Sequence, residues 1–120
     1  MPMLTVGDRT FSIRTVEKNA SWRAHAVSLE HGDRFGVELV APTEAEAIDR
    51  MRRWLEWQHE HVSALAELRS AERAYHRSIA DEAFSTGDHA AVSEQARRAA
   101  LDRIESARLK LDEVRTHQPQ

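Results

Sequence analysis

Glu56-Trp57-Gln58-His59 sets a carboxylate and an imidazole three residues apart, a spacing that places both on one face of a helix. Ferritin-like di-iron bundles use such a Glu-x-x-His pattern, so a metal-binding four-helix assembly built on Glu56 and His59 is one chemical reading. It would need more carboxylates from facing helices, with Glu60 or Glu105 as candidates, and the chain carries the pattern once. A solvated polar face is the simpler account. His59-Glu60-His61 departs from the metalloprotease helix motif, because its second histidine comes two positions after the first and faces away.

No nucleophile arrangement is legible. The chain has no cysteine, which removes disulfides, thiolate metal sites and cysteine nucleophiles together. Ser63, Ser70, Ser78, Ser85 and Ser93 fall in helical stretches without the strand-turn-helix elbow that exposes a catalytic serine. Four scattered glycines cannot build a phosphate-binding loop. Asp81-Glu82 and Asp112-Glu113 are sequence neighbours that diverge on a helix and read as surface. The expectation is a protein that is not an enzyme and carries no cofactor.

Charge narrows the partners. Residues 1–42 hold 5 basic and 5 acidic side chains, residues 43–84 hold 6 and 9, and residues 85–120 hold 6 and 6. Phosphate neutralisation supplies most nucleic-acid affinity and leaves a basic stripe, which no segment has, so direct nucleic-acid binding is disfavoured. No run approaches the roughly 20 apolar residues of a membrane span, and the start Met1-Pro2-Met3-Leu4 lacks the build of a signal peptide. A cytoplasmic location is expected.

The elements that would carry these residues are of two kinds. Residues 1–42 alternate apolar and polar side chains in short runs separated by turn formers, the pattern of a β-meander. Phe11, Ile13 and Thr15 share one face, as do Trp22, Ala24 and Ala26, and then Phe35, Val37 and Leu39. Residues 17–21 and His31-Gly32-Asp33 make the turns, and Leu4 to Val6 could add a short edge strand to a three-stranded antiparallel sheet. Thr43 with Glu46 three residues on has the capping-box form, and from Glu44 to Phe84 there is neither proline nor glycine. A helix of about 60 Å would follow at 1.5 Å per residue. Its start would cover the sheet. Gly87 is placed to end it, Asp88 to cap the next, and residues 87–118 to form a second helix. The fold class is therefore α+β: a β-meander over 1–42, a long helix over 43–86 and a second helix over 87–118, expected as a single compact unit.

The long helix carries Ala47, Ile48, Met51, Trp54, Leu55, Gln58, Val62 and Leu65 in one sector, and Leu68, Tyr75 and Ile79 displaced backwards from it. That drift is what a repeat of about 3.5 residues produces in a coiled coil. Ala96, Ala100, Ile104, Ala107, Leu111 and Val114 keep the same spacing in the second helix, with Leu101 beside them, so the two rods should pair as an αα-hairpin. An isolated hairpin leaves its flanks wet, which predicts a homodimer built on Leu65, Leu68, Tyr75 and Ile79 against Ile104, Leu111 and Val114 of both copies. Trp22 and Trp54 read as core. Trp57 projects roughly 60° from Trp54 and either extends the sheet contact or anchors a partner.

A strand pair, a third strand and then Thr43-Glu44-Ala45-Glu46-Ala47-Ile48 at a helix start give residues 11–58 an order that resembles the N-terminal part of HicB-like antitoxins. Gly32-Asp33-Arg34-Phe35-Gly36 stands where that family carries a Pro-x-x-Pro-Gly-Cys-like segment, and the helical hairpin replaces its usual DNA-binding extension. The resemblance implies a β-β-β-α unit that binds a protein partner and self-associates, without catalysis of its own. Residue pattern and resemblance thus point to one class: a non-catalytic interaction or assembly module, antitoxin-like or an accessory subunit.

Overall fold

The computed structural model describes residues 2–83 and 88–119. The chain is α+β. Four strands, β1 (Met3–Val6), β2 (Arg9–Lys18), β3 (Ser21–Ser28) and β4 (Arg34–Ala41), precede two helices, α1 (Glu44–Ala83) and α2 (Asp88–Thr116). The strands form an antiparallel meander in the order β1-β2-β3-β4, one strand more than the three expected. The extra strand is the short run at Leu4 to Val6. It holds because Gly7-Asp8 closes a two-residue turn that pairs Val6 with Arg9 and Leu4 with Phe11. Contacts within the chain group into two compact units, one reaching His59 and the other spanning Glu60–His117.

In the first unit, the β2–β3 turn tightens to Asn19-Ala20, both in left-handed backbone with φ of 53° and 63°. Lys18 then pairs directly with Ser21. Such a turn matches the twist of the strands it joins, and it asks alanine to adopt a conformation that glycine would take more readily. The β3–β4 loop closes through the Gly32 amide donating to the Ser28 carbonyl at 2.7 Å and the Ser28 amide donating to the Asp33 carbonyl at 2.9 Å.

Strand β4 breaks the expected alternation. Ala24 pairs with Leu39 and Ala26 with Phe35, so Gly36, Val37 and Glu38 together stand opposite the single residue His25. This bulge brings Phe35 and Leu39 to the core and leaves Val37 44% exposed, where simple alternation had put it inward. Gly36 makes the bend at φ 78° and also admits the Trp54 ring, which a Cβ there would meet at 2.4 Å. Trp54 packs edge-on to Phe35 with centroids 6.3 Å apart, and Phe35 lies 5.0 Å from Phe11. The Arg9 guanidinium covers both phenyl rings, 4.7 Å from the Phe35 centroid. On the open side of β4, Arg50 Nη1 donates to the Val40 carbonyl at 2.6 Å.

Thr43 starts α1, its hydroxyl accepting the Glu46 amide at 3.2 Å and its carbonyl the Ala47 amide at 3.0 Å. Ala47, Met51 and Leu55 then lie on Phe11, Ile13, Ala24 and Ala26. Ala24, Ala26 and Ala47 are fully buried, and their small side chains let the helix lie close to the strands.

The second unit is the αα-hairpin. Buried residues recur every seven positions: Ala64, Ala71 and Ser78 on α1, Ala100, Ala107 and Val114 on α2, with Ile104 and Leu111 between them. The small residues on α1 let the backbones approach closely. Ser78 satisfies its buried hydroxyl by donating to the Tyr75 carbonyl at 2.7 Å. Gly87, expected to end the first helix, lies outside the described residues. Asp88 is already the first residue of α2.

Candidate interaction surface

The hairpin has two unlike flanks. On one, Arg103 of α2 reaches Glu67 of α1 at 2.9 Å and the Ser70 hydroxyl at 3.4 Å, which fixes the register of the two helices. At 100° per residue, Leu65 and Leu68 fall on the other flank, together with Ile79 from α1 and Leu101 from α2. The Glu67–Arg103 register puts Leu68 at the level of Leu101. Leu65 and Leu68 are half-buried, while Ile79 is 41% and Leu101 44% exposed. An open hollow along this side of α2 is lined by Leu101, Ile104, Glu105, Arg108 and Leu109, and Leu109 is 66% exposed. The flank can bury aliphatic surface and form ion pairs at its rim through charged residues such as Glu105 and Arg108.

The residues singled out as an interface divide accordingly. Ile104, Leu111 and Val114 are buried in the hairpin seam of one chain; Leu65, Leu68 and Tyr75 are half-buried, and Ile79 is exposed. Trp57 is half-buried and stands one heptad before Ala64. Glu56 lies 3.5 Å from Arg52 Nη1. His59 packs its imidazole on the β1–β2 turn, where a Cβ at Gly7 would come within 2.5 Å of its Cε1. Gly7 is thus what gives that ring its room. Among the described residues, no three His, Cys, Asp or Glu side chains come together as metal ligands do.

The sheet face away from α1 holds a second polar cluster. Arg14 pairs across the strands with His25, and Arg23 and Arg34 both bind the Glu38 carboxylate, at 3.0 and 3.2 Å. The hydrogen bond from Arg23, and then that from Arg34, hold the Glu38 carboxyl below its ordinary value. Partial burial, followed by the nearby Arg34 charge, pushes the His25 imidazole below its ordinary 6.5; Glu38 pulls the other way and Arg14 adds to the lowering. Arg23 and Arg34 thus neutralise Glu38, while the buried Arg23 Nε has no hydrogen-bond partner among the described residues.

No family model, curated protein or solved structure matches the chain. No helix among the described residues is long and apolar enough to cross a membrane. Sequence reasoning passed over Leu101 because it lies beside the heptad seam. The signal that could have marked it is Leu68, a large apolar residue at the matching level of α1, once the register of the hairpin is known.

Proposed function

We propose that the chain is a non-catalytic interaction module that self-associates through its helical hairpin into a homodimer. One observation carries this reading: after the seam is filled, the flank with Leu65, Leu68, Ile79 and Leu101 still leaves large aliphatic side chains partly wet. Burying such a side chain is worth roughly 1.5 to 3 kcal/mol, so a second copy that covers several of them offsets the cost of ordering the contact. Clusters of this kind on a protein surface mark association sites more often than isolated exposed apolar residues do. An antitoxin-like or accessory role belongs to the same class and rests on the strand-strand-strand-helix order of residues 11–58.

Light scattering on the purified chain tests the reading. The expected mass is twice the 13.7 kDa of the chain, and Leu101→Asp should return it to one chain with helicity retained, because Leu101 lies outside the seam. A wild-type chain that runs as a monomer at micromolar concentration would sink it.

A further inference from the structure

One strip of α2 reads the same in both directions around Leu101 once charge sign is exchanged. Glu94 and Arg97 precede Leu101 by seven and four residues, and Glu105 and Arg108 follow it by four and seven. Steps of three and four keep all five side chains on one strip of helix. Arg108 and Glu105 also line the open hollow beside Leu101. Glu94 and Arg97 are half-buried and already engaged within the chain, Glu94 by Arg98 at 3.0 Å, so pairs to a second copy would add to these contacts.

Two identical helices related by a two-fold axis meet through the same patch, each residue before the axis facing its counterpart after it. With the axis at Leu101 and the helices antiparallel, Glu94 faces the partner's Arg108 and Arg97 faces the partner's Glu105. Symmetry doubles each pair. Parallel packing would set Glu94 against the partner's Glu94 and Arg97 against the partner's Arg97, so the charges select one orientation. The two Leu101 side chains then meet on the axis, with Leu68 of each chain at the same level. We infer that α2 pairs antiparallel with α2 of a second copy of this chain, in the register that places Leu101 on the two-fold axis. This inference rests on self-association through the hairpin and adds its orientation and register.

A chain without cysteine allows a clean test by single substitutions. In the proposed register Leu101→Cys brings two thiols together on the axis, and mild oxidation should give a covalent dimer. Leu109→Cys is more exposed, yet its two thiols would lie about 24 Å apart along the helices, counting sixteen residues at about 1.5 Å each, and should remain uncross-linked. Charge exchange provides the second measurement, by sedimentation equilibrium with circular dichroism to confirm folding. Arg97→Glu should weaken the dimer about tenfold by turning two attractive pairs into repulsive ones, and adding Glu105→Arg should restore it. If the wild type is a dimer but Leu109→Cys cross-links as readily as Leu101→Cys, or the double exchange fails to restore affinity, the register is wrong while self-association stands. A monomeric wild type removes both.

Discussion

Gly36 and Gly32 have almost the same backbone, with φ of 78° and 72°, but different surroundings: Trp54 carbons lie 2.4 and 2.5 Å from where a Gly36 Cβ would sit, and nothing lies within 4 Å of the Gly32 position. Alanine at either site adopts a left-handed backbone at a cost of about 1 to 2 kcal/mol. Part of that is offset, by about 0.4 to 1 kcal/mol, because alanine also restricts the unfolded chain. Gly32→Ala should therefore cost about 1 kcal/mol. Gly36→Ala must in addition push the Trp54 ring off Phe35, and overpacking of this kind adds about 1 to 3 kcal/mol. The expected loss is about 2 to 4 kcal/mol, a fall in Tm of roughly 10 °C or more for a domain of this size. Urea denaturation of both variants, followed by circular dichroism, measures the difference. Trp54→Leu in the Gly36→Ala background should recover part of the loss, with a coupling of at least about 1 kcal/mol between the two sites. Equal costs at the two glycines, or additive effects of Gly36→Ala and Trp54→Leu, would show that the ring does not depend on the missing side chain.

Two further outcomes follow from the sheet. Ala20→Gly should stabilise the chain by about 0.5 to 1 kcal/mol by relieving a left-handed alanine in a tight turn, and an unchanged urea midpoint would count against that turn geometry. His25 should titrate by NMR with a midpoint below 6.5, and Arg34→Ala should raise that midpoint. Because the folded value is the lower one, the neutral form of His25 contributes stability above pH about 6.5 that is lost as pH falls through the folded value. A wild-type midpoint at or above 6.5 would contradict the partial burial of His25 and its exposure to the Arg34 charge.

The helix start was legible because Thr43 and Glu46 satisfy backbone groups locally, and local chemistry is written in neighbouring residues. The inner faces of β2 and β3 were legible for a similar reason: Phe11 with Ile13, and Ala24 with Ala26, keep the two-residue period without interruption. Strand β4 defeated the same rule. Its glycine reads in sequence as an outward position, and only the Trp54 ring, contributed by α1, shows that the backbone bends there and turns Val37 outward. The short β1 was underweighted because four residues carry little periodic signal and depend on pairing with β2 to hold. In the hairpin, the seven-residue spacing of Ala100, Ala107 and Val114 was plain. Leu65, Leu68 and Ile79 were legible as an apolar set on α1; that Leu101 joins their flank was not, because that depends on the pairing of Glu67 with Arg103, residues 36 positions apart.

The bulge in β4 also bears on how copies of this chain can fail to stay apart. An outer strand offers a row of free amides and carbonyls along which another chain can zip, the first step toward cross-β aggregation. In β4 that row is interrupted at Gly36, Val37 and Glu38, and the Val40 carbonyl is already taken by Arg50. A straightened strand, from a deletion within the bulge, would lengthen the regular edge and bring exposed Val37 and Val40 to its border. Such a variant should form thioflavin-positive fibrils under conditions where the parent chain stays dispersed.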